Sequence, residues 1–246
     1  MENSRTKNSM LTMGLGGIRQ GLTVVLTFLS RTVFINILGA EILGVSGLFT
    51  NILSLLALSE LGIGTAITFY LYKPVAEHDV ERINQLMLFY KKCYKIVGGA
   101  ILVVGMAVIP FLDKIINFDQ AIDVNIYWVY AIYVFNIAST YLFWGYKQSI
   151  FFANQQQYKI EKTNIFFAIF NCLAEILTLV ITGDFYLYLI AQLLVTLVKN
   201  YAIGKKADKE YPYLKNKVEK KIEKEEVKKL FTDIYQVAIF KLGSQL

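Results

Sequence analysis

One histidine and two cysteines are the whole stock of soft metal ligands and thiols in these 246 residues. A structural zinc site takes four such ligands, so His78, Cys93 and Cys172 exclude one. A designed disulfide is excluded as well. Cys93 follows the basic pair Lys91-Lys92 while Cys172 sits inside a long apolar run, and both read as free thiols. His78 reads as a solvated turn residue. No Gly-x-x-x-x-Gly-Lys-[Ser/Thr] phosphate loop occurs, which removes nucleotide as a direct energy source within the chain. Gly14-Leu15-Gly16-Gly17 opens an apolar helix without a preceding strand, so it is no dinucleotide site. A cleavable leader is missing too. The polar start Met1–Asn8 is short, the apolar stretch after it is long, and no small-residue cleavage site follows.

What the chain has in quantity is apolar length. Hydrophobic residues make up 55% of it and its mean hydropathy is +0.46, both too high for an ordinary soluble domain. Six stretches, 14–37, 42–71, 96–112, 124–146, 164–182 and 186–203, match the roughly 20 helical residues that cross a bilayer. The second is long enough to need a tilt. The expected fold is therefore all-α, a polytopic transmembrane helix bundle. Tight turns are expected at Gly39-Ala40 and Gly183-Asp184. Between spans two and three, Val80, Ile83, Met87, Tyr90 and Tyr94 recur at helical spacing behind Asp79, a good N-cap. This predicts a helix lying on the membrane surface.

The net charge of +6 is a matter of placement. Arg5 and Lys7 precede span one; Lys73, Arg82, Lys91, Lys92 and Lys95 lie between spans two and three; Lys147, Lys159 and Lys162 lie between four and five. Ten lysines follow span six, from Lys205 to Lys229, whereas the opposite side holds only Lys114. This positive-inside pattern puts both ends of the six-span unit in the cytoplasm of a bacterial plasma-membrane protein. It makes anionic lipid headgroups, not nucleic acid, the partner of the basic surplus. The opposite loop carries Asp113, Asp119 and Asp123 and reads as solvated.

Polar residues within the spans fall on stripes. Span one carries Gly16, Gln20, Thr23, Thr27 and Arg31, with Ser30 at the edge; span two has Ser46, Thr50, Ser54, Glu60, Gly64 and Thr68. Tyr133, Asn136 and Thr140 mark span four. Asn164, Asn171, Glu175, Thr178 and Thr182 mark span five, and Tyr188, Gln192, Thr196 and Lys199 span six. Small and hydroxyl residues on such stripes also serve helix packing, so for them both readings stay open. Charges are harder to place in lipid, because each costs about 2.5–3.5 kcal/mol at a helix centre on insertion scales. Glu175 and Lys199 lie about 17 and 20 Å along their spans at 1.5 Å per residue. Together with Arg31, which has the option of snorkelling to the outer interface, they are expected to share a polar cavity. Arg19 and Glu60 stand equally far from the Gly39-Ala40 turn and are expected to neutralise each other. These stripes point to a carrier or channel.

The run from Arg31 to Ile67, with Leu38-Gly39-Ala40-Glu41, Gly44-Val45-Ser46-Gly47 and Leu58-Ser59-Glu60-Leu61-Gly62-Ile63-Gly64 inside it, closely resembles polysaccharide-repeat flippases of the MOP exporter superfamily. Tyr72-Lys73-Pro74 and Phe89-Tyr90-Lys91-Lys92 add to the likeness, whose detailed part covers about residues 10–112. The resemblance implies the six-span N-terminal lobe of a MOP/MATE-like two-lobe transporter. It implies transport of an undecaprenyl-diphosphate-linked oligosaccharide to the outer leaflet for surface polysaccharide synthesis, with no enzymatic chemistry, no cofactor and no metal. On this reading Arg31, Lys199, Arg19, Gln20, Asn171 and Gln192 are the candidate substrate contacts, and Glu175 and Glu60 the coupling-ion candidates. A polysaccharide polymerase and glycosyltransferases are the expected protein partners, although the long outer loop of a polymerase is itself absent here.

The expected division is a transmembrane lobe over 1–203, a charged cytoplasmic linker over 204–230 and the start of a second lobe over 231–246. In the linker Leu214, Val218 and Ile222 repeat at helical spacing. About 13 apolar residues from Ile234 cannot cross a bilayer, so the chain reads as a lobe whose C-terminal companion is missing. Two other readings stand beside the flippase: a cation-coupled small-molecule exporter of the same fold, and a noncatalytic membrane partner of a glycan-assembly complex. A cavity rich in cations favours the flippase, and an acidic one the exporter.

Overall fold

The computed structural model of the chain describes residues 2–57, 63–115, 124–218 and 222–243, and every element among them is helical. The α-helices are α1 (Glu2–Leu38), α2 (Ala40–Ala57), α3 (Ile63–Glu77), α4 (Val80–Val108), α5 (Leu112–Ile115), α6 (Ile126–Leu142), α7 (Ser149–Ala153), α8 (Tyr158–Thr182), α9 (Phe185–Glu210) and α10 (Lys224–Gly243). Among the described residues four helices are long and apolar enough to cross a membrane: Thr6–Leu38, Val80–Lys114, Tyr158–Thr182 and Phe185–Glu210. A fifth is added if Ile126–Leu142 and Trp144–Ala153, which meet at a bend of 43°, count as one span. The expected second span falls on α2, on five residues outside the described set, and on α3; the apolar part of α2, Ala40–Ser54, is too short to cross alone.

The turns follow from backbone chemistry. Gly39 and Gly183 take φ of +89° and +60°, the left-handed region open to glycine. At the second turn the Gly183 N–H closes onto the Leu179 carbonyl at 2.8 Å. The Asp184 carboxylate then accepts the Leu187 N–H at 2.9 Å, starting α9 at once. Asp79 caps α4 in the same way, accepting the Arg82 N–H at 2.9 Å.

The helix expected to lie on the membrane surface is instead the first half of α4, which continues unbroken to Val108. Its apolar stripe has a protein partner. Ile83, Met87, Tyr90 and Tyr94 are buried in a core with Ile67 and Leu71 of α3, Ile150 and Phe151 of α7, and Leu230 and Ile234 of α10. Lys91, Lys92 and Lys95 stay exposed on the other side. A second core lies at the far end of the bundle, where Phe34, Phe49, Tyr130, Leu179 and Phe185 converge; Phe34 meets Phe185 edge-on with ring centroids 5.6 Å apart. The α4–α6 seam joins the two. A Cβ on Gly98 would stand 2.8 Å from the Leu142 Cγ, and one on Gly105 2.8 Å from a Val134 methyl, the close approach that small interface residues permit.

Around the expected linker the elements are drawn differently from the sequence expectation. Helix α9 passes residue 203 without a break and ends at Glu210. Pro212, which has no N–H to give, starts a single 3₁₀ turn to Lys215, and Asn216 is extended. The repeat of Leu214, Val218 and Ile222 therefore does not form one helix. Helix α10 then runs through residue 230, held by ion pairing of Glu226 with Arg82, by the Tyr70 hydroxyl donating to Asp233, and by the fully buried Leu230.

Candidate functional site: a polar cavity among five helices

Helix α1 lies along α8, α8 along α9, and α9 against α6, while α2 touches both α1 and α6. This arrangement turns the polar stripes of these helices toward one another. They line two half-open cavities of about 440 and 480 Å³. The first is lined by Arg31, Thr27, Ser46, Thr50, Tyr133 and Glu175 among others. Arg19, Lys199, Asn136, Asn164 and Thr196 are among those lining the second. Thr23, Ala168, Asn171 and Gln192 line both, so the cavities meet there. Arg19 and Arg31 are twelve positions apart on α1, about 18 Å at the helical rise, and mark opposite ends of the path.

Glu175 is buried, 7% exposed, and both of its carboxylate oxygens accept hydrogen bonds. The Ser30 hydroxyl donates to Oε2. Asn171 Nδ2 and Gln192 Nε2 both donate to Oε1 at 2.6 Å. Gln192 Nε2 also donates to the Tyr188 hydroxyl at 2.9 Å. Three donors from α1, α8 and α9 thus meet one carboxylate, which ties these helices together at mid-length.

Arg19 is held by Glu161 on α8, Nε to Oε2 at 2.7 Å. Glu60, its expected partner, lies outside the described residues, as do Asp119 and Asp123. Among the described residues nothing accepts from the two NH₂ groups of the Arg19 guanidinium, which leaves them for another acceptor. Among the described residues neither Arg31 nor Lys199 forms an ion pair. Gln20 is exposed and lines neither cavity, so of the candidate contacts it stands apart from the others.

Glu161 was not among the candidates, yet its position carries a signal. It precedes Asn164 by three residues and continues the Asn164, Asn171, Glu175 stripe by one turn. Ser30 likewise stands at the edge of the α1 stripe, and the rotation of α1 against α8 brings it to Glu175. Among the described residues no three His, Cys, Asp or Glu side chains converge as a metal site would need. No family model, curated protein or solved structure matches the chain.

Proposed function

We propose that the chain is a membrane-spanning carrier lobe that moves an undecaprenyl-diphosphate-linked oligosaccharide from the cytoplasmic to the outer leaflet for surface polysaccharide synthesis. One observation carries the reading: among the described residues three cations, Arg19, Arg31 and Lys199, line the joined cavities, against the lining carboxylate of Glu175 and that of Glu161, which pairs with Arg19. A diphosphate is a concentrated anion. Guanidinium and ammonium groups bind it most strongly where water is scarce and the dielectric low. The hydroxyl and amide groups between the cations suit sugars, and the polyprenyl tail stays in lipid beside exposed apolar residues of α1 such as Val25 and Phe28. Each cavity falls in the usual size range of about 300–1,000 Å³ for small-molecule sites. With the N-terminus cytoplasmic, Arg19 and Lys199 receive the headgroup first and Arg31 takes it nearer the outer face. The resemblance to MOP flippases supplies a second lobe as the opposite wall.

Equilibrium binding of radiolabelled undecaprenyl diphosphate to the purified protein in nanodiscs tests the proposal. Arg31→Gln and Lys199→Gln should each weaken binding about tenfold, the scale of one charge-assisted hydrogen bond. No binding above empty nanodiscs, or variants that bind as the wild type does, would overturn it. The buried Glu175 favours a second reading, a cation-coupled small-molecule exporter. Sodium- or proton-dependent binding of an organic cation, lost in Glu175→Gln, is what that reading requires.

A further inference from the structure

At the junction of the two cavities the hydrogen-bond pattern is polarised, and Glu175 polarises it. An amide side chain has two faces, an NH₂ that donates and an oxygen that accepts. Oε1 of Glu175 takes hydrogen bonds from both Asn171 and Gln192, so each of these residues has its NH₂ turned to the carboxylate. For Gln192 the second N–H is used as well, by the Tyr188 hydroxyl. What the two amides have left are their oxygens, Asn171 Oδ1 and Gln192 Oε1, and one N–H of Asn171, so acceptors outnumber donors two to one. Neither oxygen takes a hydrogen bond from a described residue, and neither is sealed from its surroundings as the orphaned Asn84 Oδ1 is. Both residues line both cavities.

From this geometry we infer that Glu175 is a positioning residue for specificity: it turns the amides of Asn171 and Gln192 so that the junction presents acceptors, which select a ligand carrying hydroxyl or N–H donors beside its anionic group. The inference rests on the proposed function and refines it. Cations at either end of the path hold a phosphate whatever is attached to it. The acceptor rim between them distinguishes a glycosylated diphosphate from a bare one, because a site built around hydrogen bonds discriminates strongly against a ligand lacking the matching groups. Neutral Gln in place of Glu175 offers its own NH₂ as well as an oxygen, so the two neighbouring amides lose the reason to face it and the rim loses its polarity. Ser30, which donates to the other carboxylate oxygen, fixes the carboxylate plane from α1.

The test compares two probes on the full chain in nanodiscs: undecaprenyl diphosphate and undecaprenyl diphosphate carrying one N-acetylglucosamine. The wild type should bind the glycosylated lipid more tightly. In Glu175→Gln the ratio of the two affinities should fall about tenfold, the worth of one or two hydrogen bonds. Gln192→Met removes an acceptor while leaving the Glu175 charge in place, and should lower the same ratio. Arg31→Gln should weaken both lipids together and keep the ratio, a pattern that a merely structural role for Glu175 would share. Circular dichroism and gel filtration of each variant show that it is folded. A wild type that binds both lipids equally, or a ratio untouched by Glu175→Gln and Gln192→Met, overturns the inference and leaves the proposed function standing. Failure of both lipids to bind overturns the two together.

Discussion

At the residue scale the most informative contact is the one between Arg19 and Glu161. Glu161 is 7% exposed, and among the described residues it has, besides Arg19, only a long contact from Gln157 Nε2 at 3.4 Å. Removing the arginine leaves a nearly buried carboxylate short of donors, whereas removing both leaves none. Arg19→Ala should therefore lower stability by about 1–3 kcal/mol, toward the smaller figure because its side chain is 35% exposed. The double variant Arg19→Ala/Glu161→Ala should lose less than Arg19→Ala alone. A double-mutant cycle on thermal unfolding in detergent measures the difference, and equal losses would show that the pair is not coupled. This pair also shows what was legible in the sequence and what was not. That Arg19 needs a carboxylate at its own depth follows from the cost of a lone charge in an apolar helix. Which carboxylate does not follow, because depth comes from the 1.5 Å rise while rotation about the axis comes from packing. Helix α1 rests along α8, so a residue 142 positions away supplies the partner.

Element by element, part of each stripe lines the cavities, such as Thr23, Thr27 and Arg31 of α1, whereas Gln20, Ser54, Thr68, Thr140, Thr178 and Thr182 line neither. The bounds of the helices were less legible. Apolar windows mark where a helix can sit in hydrocarbon, but hydrogen bonding carries the helix on through charged residues; α8 begins at Tyr158 and α9 ends at Glu210, well outside the windows 164–182 and 186–203. The stripe of α4 was read correctly as one face of a helix and assigned to lipid. Its partners, α7 and α10, are far away in sequence and gave no local sign of being there. The α4–α6 seam supplies a test at this scale. A Cβ on Gly105 would stand 2.8 and 3.0 Å from the two Cγ atoms of Val134, whose branched side chain is stiff. Overpacking costs about 1–3 kcal/mol, against a gain of about 1 kcal/mol in helix propensity for Gly→Ala. Gly105→Ala should thus be a net loss, and Val134→Ala in the same chain should restore part of it. A stabilised Gly105→Ala protein would mean that the seam is looser than its geometry. A third substitution probes α10: Leu230 is fully buried, and Leu230→Ala should cost about 2–5 kcal/mol in the same assay.

Across the whole molecule the charges and the helices make a joint statement about sidedness. The exposed cations Lys92 and Lys205 lie toward one end of the bundle, where the ion pairs Lys147–Asp208 and Arg82–Glu226 also gather. The turns at Gly39 and Gly183 lie toward the other end, beside the aromatic core. Positive charge is retained on the cytoplasmic side, so in the proposed orientation Lys7, Lys92 and Lys205 are cytoplasmic and Asp184 is outside. Both cysteines are buried, and Cys93→Ala/Cys172→Ala supplies a thiol-free background. In it Asp184→Cys should react with a membrane-impermeant maleimide in intact cells, while Lys7→Cys, Lys92→Cys and Lys205→Cys should react only after permeabilisation. The pair at positions 7 and 205 also counts crossings. Labelling from the same side requires an even number between them, which the four long helices and the bent fifth reach only if α2 and α3 together make one further crossing. Labelling from opposite sides would mean that α2 and α3 enter and leave by the same face, and the wall that α2 gives the first cavity, through Ser46 and Thr50, would then belong to a re-entrant hairpin.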